Sequence, residues 1–387
     1  MEKKALLLAK KLIRIPSYVG SNCNEIKIAE FVYRYCQTLK GFSVSKQYIK
    51  DGRFNVVLKD NYPTKLLFVG HLDTVEPRSG WKTNQFISAN SQGRLFGLGA
   101  ADMKSNIAAF LTALQSIGKT NGIMALFYID EEYDFAGMRA FVNEYKDKTK
   151  PSFILSGDGN DLMLGNGCRG LIELTAIVKG KSAHASNPQL GINAITSSAN
   201  AIQKLAKYVD KNYQSSTLGT TTCNLAFLQG GLSKGRNKDM LILGREGNNV
   251  PDIAEFVIDI RTADPKLNAG KIILLLSSFL NEDKLSIQSI KVRHDFGAWI
   301  TPKQKLRSVE KIINGVVPIR YTDLGKRGFI DVQLLSKAFP VPCFTLGAGD
   351  GKTVHSANEN ILIRDLFTLT DIYKKIITSV KGVKKNG

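Results

Sequence analysis

The stretch Leu66-Leu67-Phe68-Val69-Gly70-His71-Leu72-Asp73-Thr74-Val75 constrains the fold more than any other part of this chain. Four apolar residues that stop at Gly70 read as a buried central strand running into a loop. In open α/β sheets, function gathers just beyond the carboxyl ends of such strands. His71 and Asp73 stand two apart at that end. If strand geometry continues, both point the same way, and one can ligate a metal while the other orients it. A lone histidine after a strand is commonly structural, but histidine is scarce here: the chain has four, His71, His184, His294 and His355. The first, second and fourth lie in stretches dense with Gly, Asp, Asn and Ser, where loops form. His294 reads as an ordinary strand or surface residue.

At 387 residues, with 43% hydrophobic and 22% charged positions, the chain can bury a large core and form two domains. No stretch approaches the roughly 18 apolar residues of a membrane span. The apolar run near the N-terminus, around Leu6-Leu7-Leu8, is too short for the roughly 7–15 residues of a secretory signal. A cytoplasmic protein is therefore expected. The five cysteines, Cys23, Cys36, Cys168, Cys223 and Cys343, form no CxxC pair, which fits reduced thiols and excludes a thiolate zinc site. The net charge of +19 raises nucleic-acid binding. Yet the lysines are spread along the chain with no basic arm interleaved with aromatics, and the nearest run is Lys381 to Lys385. Solvated lysine-rich faces account for the charge, so no nucleic-acid or membrane partner is expected, and steering of small anionic substrates is the milder consequence.

Helical periodicity covers residues 2–14, 24–40, 103–117 and 136–146, and strand-like segments fall at 54–58, 65–70, 123–129 and from Phe153. Such alternation predicts an α/β fold with a mixed, mostly parallel sheet. The texture changes after Gly170, where 171–179, 253–261 and 285–293 read as strands and 190–208 and 266–280 as helices. This β-α-β-β-α-β-like set suits an inserted α+β, ferredoxin-like domain. Helix and strand alternation then returns at 303–314, 329–337, 342–346 and 360–379. The expected organisation is 1–170 and 295–387 forming one domain, with 171–294 inserted.

Further acidic and histidine positions occupy equivalent strand ends. Gly97-Leu98-Gly99-Ala100-Ala101-Asp102 is a glycine-rich loop running into a helix, where Asp102 could serve simply as a cap. Ile129-Asp130-Glu131-Glu132 closes a strand with three consecutive carboxylates, an unfavourable cluster unless a cation neutralises it. Gly157-Asp158 and Gly351-Lys352-Thr353-Val354-His355 repeat the pattern. Imidazoles and carboxylates without thiolates suit a hydrolytic zinc or cobalt site, in which two metals can share one carboxylate. A carboxylate that is not a ligand must then take and return a proton.

The ordered set HLDTV, GLGAADMK, DEE, GNGCRG, GKSAHAS, NNVPD…DIR and TVHSANE resembles one metallopeptidase family over roughly residues 5–375. That family includes acetylornithine deacetylase, succinyl-diaminopimelate desuccinylase, aminoacylase-1 and glutamate carboxypeptidase. The resemblance implies a catalytic domain holding two Zn2+ per subunit, with Co2+ a possible substitute, and an inserted lid that also makes a homodimer. It implies that His71 and Asp158 hold one metal, Glu132 and His355 the other, and that Asp102 bridges them. Asp73 would orient His71, Glu131 would be the general base and acid, and His184 would reach the partner's site to polarise the scissile carbonyl. Arg169, Asn248 and Arg261 match positions that contact substrate or shape the lid interface. For His184 the plain alternative is a surface loop residue, and for the arginines a structural salt bridge.

Two departures bear on substrate. Deacylases of this family usually carry Glu at the fifth ligand position, whereas dipeptidase-like members carry Asp, as at Asp158. The segment from Gly325 to Asp331 lacks the Thr-Ser pair of desuccinylases. The leading expectation is a zinc-dependent amidohydrolase that deacylates an N-acyl amino acid. The alternatives are a di- or tripeptidase or carboxypeptidase on the same scaffold, and a binding protein that keeps the fold without turnover.

Overall fold

Strand Leu66–His71 is buried at every position, as a central strand covered on both faces must be. The protein is seen here in a computed structural model that describes all residues except Asp239, 326–329, Asp331 and 381–387. The run Lys381 to Lys385 and most of the segment from Gly325 to Asp331 therefore lie outside the described residues. The rest divides into two compact units: Met1–Asn166, Thr301–Thr322 and the chain from Ile330 form one, and Gly167–Ile300 with a short segment from Asp323 forms the other.

In the first unit, Leu66–His71 lies in a six-stranded sheet ordered Phe42–Lys50, Arg53–Asp60, Ile123–Tyr128, Leu66–His71, Phe153–Ser156, Cys343–Thr345. The first two strands are antiparallel to their neighbours, and the last four are mutually parallel. Parallel strands bring their carboxyl ends to one edge, so the residues after Tyr128, Ser156 and Thr345 emerge beside His71. The edge strand Phe42–Lys50 is not among the expected elements, and its residues are half-buried or exposed along its whole length.

Helices Glu2–Ile13, Lys104–Ile117 and Ile363–Val380 pack together over this sheet. Phe68 stacks on Phe110 with ring centroids 3.7 Å apart and meets Tyr373 edge-on at 5.8 Å. Each buried aromatic contributes roughly 1.5–3 kcal/mol, with about 0.5–1.5 kcal/mol more from the ring pair. Gly70 lets the Lys104–Ile117 helix approach the strand, because a Cβ there would lie 2.9 Å from Met103 Cε and 3.1 Å from Ile107 Cγ1.

The second unit contains the expected interval 171–294. Its antiparallel sheet runs Met240–Gly244, Thr222–Asn237, Ile253–Thr262, Gly170–Lys179, Ser286–Phe296. Setting aside the edge strand Met240–Gly244, the chain order is β-α-β-β-α-β, a ferredoxin-like arrangement. Burial alternates along Ile253–Thr262. Ala254, Phe256, Ile258 and Ile260 join Ile172, Leu174, Ala176 and Val178 in a core with the two helices.

Those helices start later than the periodicity predicts. The helix expected at 190–208 spans Ala194–Asn212, because Asn193 Oδ1 caps it by accepting from the Ile195 and Thr196 amides. Pro188–Leu190 forms a separate 3-10 turn. The helix expected at 266–280 spans Ala269–Glu282, capped by Asn268. His294 lies in strand Ser286–Phe296 and is buried. Among the described residues, no helix is long and apolar enough to cross a membrane.

Candidate metal centre

His71 ends its strand with a ring that is 1% exposed. Its Nδ1 lies 3.1 Å from the Asp73 carbonyl oxygen and 3.6 Å from Asp73 Oδ1, so Asp73 orients the ring chiefly through its backbone. Asp73 Oδ2 accepts from the Glu132 amide at 2.9 Å, which ties the two strand-end loops together. With Nδ1 donating to Asp73, Nε2 is directed at Asp102 Oδ1, 2.9 Å away.

Asp102 does not cap the following helix. That helix begins at Lys104 after Met103, and no side chain caps it. The Asp102 carboxylate is occupied elsewhere: Oδ1 faces His71 Nε2, and Oδ2 lies 3.4 Å from His355 Nε2. Glu359, buried behind the loop, accepts the Gly99 amide at 2.9 Å, Ala101 at 2.7 Å and Asp102 at 2.9 Å. On the other side, the fully buried Asn106 donates to Gly157 O at 2.9 Å and, more weakly, to Gly159 O and Ala101 O. Its Oδ1 accepts the Ala348 amide at 3.1 Å. One carboxamide thus joins the loops that carry Asp102 and Asp158 to the loop after Thr345. Gly347 is required at this junction, since a Cβ there would collide with the Gly159 carbonyl oxygen.

The acidic triplet is divided in its chemistry. The cation beside Asp130 is Arg53, whose Nη2 lies 2.6 Å from Asp130 Oδ1 and which also pairs bidentately with Glu25. Asp130 has a left-handed backbone (φ 71°), and its carboxylate and carbonyl accept the Ala136 and Phe135 amides. This closes a turn that presents Glu131 and Glu132. His71, Glu131 and Glu132 place ligand atoms within 4.8 Å of one another, and so do Asp102, Glu132 and His355. His355 Nε2 is 3.0 Å from Glu132 Oε1, and His355 itself adopts φ 58°.

The electrostatics of this cluster fit bound cations. Burial disfavours a charged His71 ring, but Asp102 and Asp73 outweigh it and hold its pKa well above the ordinary value. Asp102 and Glu132 raise His355 to about 10. Burial opposes an ionised Asp102, yet the His355 and His71 rings hold its carboxyl below the usual range. Burial pushes Glu132 up. Both Nε2 atoms therefore carry protons aimed at carboxylates wherever no cation takes their place. Divalent cations satisfy the same two imidazoles and shared carboxylates without those protons. The two Asp102 oxygens, each facing a different ring, suit a carboxylate shared between two ions.

The remaining expected residues belong to neither of these two groups. Asp158 follows strand Phe153–Ser156, and its amide donates to Ser156 Oγ at 3.1 Å; it belongs to neither three-residue group. His184 is exposed in the second unit, with Ser186 Oγ 2.7 Å from Nδ1. Asn248 is exposed beside it, its carbonyl accepting the Ala185 amide. Arg261 is bidentate to Asp259, two residues back on the same strand, at 2.8 and 3.0 Å. Arg169 is half-buried between the Gly167–Cys168 and Gly170–Lys179 strands.

Sequence reasoning did not find Arg53, Glu25, Asn106 or the role of Glu359. Glu359 stands inside the TVHSANE stretch, and Asn106 is a polar residue within an otherwise apolar helix. A buried polar residue in such a setting is a usable signal.

Among proteins of known sequence, residues 67–379 match the profile of Peptidase family M20/M25/M40. The chain is 30% identical over 241 residues to an acetylornithine deacetylase of Proteus mirabilis, covering 58% of this chain and 61% of that enzyme. It is 26% identical to a succinyl-diaminopimelate desuccinylase of Pelagibacter ubique, covering 96% and 97% of the two chains. In three dimensions it resembles an M20 family metallo-carboxypeptidase of Sulfolobus solfataricus, with TM-score 0.77, 19% identity and coverage of 98% and 100%. The profile spans most of the chain, the fold follows it end to end, and the convergent histidines and carboxylates lie within it: this chain belongs to Peptidase family M20/M25/M40 and is a hydrolase of amide bonds.

Proposed function

We propose that the chain is a zinc-dependent amidohydrolase that removes the acyl group from an N-acyl amino acid. The observation that carries this reading is Asp102, whose two oxygens face His71 Nε2 at 2.9 Å and His355 Nε2 at 3.4 Å, with Glu132 joining from the neighbouring strand end. Two Zn2+ per subunit would be held by His71, Asp158, Glu132 and His355, with Asp102 shared, and Co2+ is the expected substitute. Bound there, such ions supply Lewis acidity to a carbonyl and make water more acidic.

The chain's own residues do the rest. Glu131, beside Glu132 on the turn held by Asp130, accepts the proton of the attacking water and returns it to the departing amine nitrogen. Asp73 keeps the His71 ring in one orientation and one tautomer. His184 donates toward the carbonyl oxygen as charge develops, and Arg169, Asn248 and Arg261 hold the substrate's polar ends. His184 lies in the second unit and the proposed ligands lie in the first; the family resemblance, with SAHAS at the head of the inserted domain, leads us to place it in the site of a partner subunit. The active species is then a cytoplasmic homodimer. Both curated relatives described above act on acylated amino acids by name, which supports the substrate class.

A second reading is favoured by one residue. Asp158 stands where the dipeptidase-like members of the family carry Asp, which points to a di- or tripeptide substrate. Metal analysis of the purified chain, with hydrolysis measured over N-acetyl and N-succinyl amino acids, dipeptides and tripeptides, tests both. Hydrolysis of acyl amino acids with dipeptides untouched supports the first reading, and the reverse supports the second. A chain that binds no divalent metal overturns both.

A further inference from the structure

Glu359 has no part in the ligand set, yet it is among the most heavily bonded buried acids near the site. Its side chain is 2% exposed, and its carboxylate takes three backbone donors from a single short loop: Gly99 on Oε2, and Ala101 and Asp102 on Oε1. Its carbonyl accepts a fourth, from the Gly97 amide at 3.0 Å. These bonds span the whole glycine-rich turn before helix Lys104–Ile117. Four residues upstream of Glu359 stands His355. One residue therefore fixes the backbone on which Asp102 is mounted and anchors the chain that delivers His355.

We propose that Glu359 is a positioning residue for the metal centre: it sets the Asp102 carboxylate between His71 and His355 before any ion arrives. This rests on the reading of Asp102 as the shared ligand. A free loop would have to lose backbone freedom each time an ion bound, whereas a loop already tied at Gly97, Gly99, Ala101 and Asp102 does not. Glutamine is the informative replacement because it keeps shape and volume. A carboxamide offers one acceptor oxygen and a donor NH2. Whichever way it turns, its NH2 faces a backbone N–H, either that of Gly99 or those of Ala101 and Asp102.

The test uses the full-length chain, Zn2+ as the probe, and competition against a chelator of known affinity, applied to wild type, Glu359→Gln and Asp102→Asn. The expected result is strongly weakened binding in Asp102→Asn and an affinity loss of about 10- to 100-fold in Glu359→Gln, the range for partners of metal ligands. Activity of Glu359→Gln should recover as free Zn2+ is raised, with KM for substrate unchanged, since Glu359 touches no substrate; a role in stability alone would not be corrected by metal. If Asp102→Asn binds Zn2+ like wild type, the reading of Asp102 as ligand fails. If Asp102→Asn is weakened and Glu359→Gln is not, the role given to Glu359 fails while that reading stands. Should Glu359→Gln not fold, hydrogen exchange in metal-free wild type decides. Protected amides at Gly99, Ala101 and Asp102 support the proposal, and exchange at the rate of open loops overturns it.

Discussion

Removing the Arg53 guanidinium should cost far more than an ordinary surface ion pair. Arg53 meets Glu25 with Nε and Nη2 and reaches Asp130 Oδ1 at 2.6 Å, and the side chains are 17%, 0% and 7% exposed. Screening by water, which limits exposed pairs to about 0–1 kcal/mol, is largely absent here. Arg53→Met leaves two buried carboxylates without their cation, a change that typically costs roughly 3–5 kcal/mol. At about 2–4 °C per kcal/mol for a unit of this size, the melting midpoint of the metal-free chain falls by about 6–20 °C.

Burial already raises the Glu25 pKa despite the arginine beside it. Losing Arg53 raises it further. A carboxyl whose folded pKa exceeds its unfolded one favours the folded state as pH falls through the folded value, so the deficit should be smaller at pH 5 than at pH 8. Arg53→Lys keeps the charge but loses the fork, and should fall between. Because Asp130 shapes the turn that presents Glu131 and Glu132, Zn2+ affinity should drop in parallel, measured by chelator competition well below the melting midpoint. A loss under about 2 °C with unchanged metal binding would refute the argument.

Glu131→Gln should retain its metal content and lose turnover by about 10²–10⁴-fold, as loss of a general base does; if elemental analysis shows metal lost there but kept in Glu132→Gln, the two roles are reversed. The pH dependence of the metal-free chain has a definite sign. His355 is held at about 10 by Asp102 and Glu132, so its contribution to stability is full below the ordinary histidine range and is lost as pH rises toward 10. Melting in chelator should show a decline over that window that is smaller in His355→Ala, where the raised His71 still contributes its share, and equal slopes would contradict it. Mixing His184→Ala with Glu131→Ala chains, with exchange verified by tags, should restore activity, because a mixed dimer has one site free of both defects. No recovery in verified heterodimers would mean that His184 does not serve a partner.

Much of the fold was legible because hydrophobic period and loop chemistry agree in this chain. The Leu66–Val69 run, the Asp-Glu-Glu triplet and Gly157-Asp158 stood at the carboxyl ends of parallel strands, where topology brings function together. Strand Thr222–Asn237 was not legible. Gly230, Gly231 and Gly235 interrupt its pattern, and its side chains are largely exposed, so no period-2 burial marks it. Helix starts shifted where Asn193 and Asn268 cap, because a cap is a hydrogen bond and leaves no hydrophobic signature.

Within the site, local sequence brought out the histidines and carboxylates that converge, His71, Asp102, Glu131, Glu132 and His355, and missed what holds them. Arg53 and Asp130 lie 77 positions apart, and Asn106 joins loops up to 242 positions away. Such pairs share no spacing rule. The triplet also promised more charge for a metal than it delivers, since Asp130 is neutralised by Arg53 and only Glu131 and Glu132 remain.

The central claim is that two metal ions share Asp102, and the measurement that tests it most directly is anomalous diffraction at the zinc edge from crystals grown with Zn2+. Two peaks flanking the Asp102 carboxylate are predicted, one against His71 Nε2 and the other against His355 Nε2 and Glu132. A single peak, or peaks that leave Asp102 outside the coordination of both ions, would contradict the account.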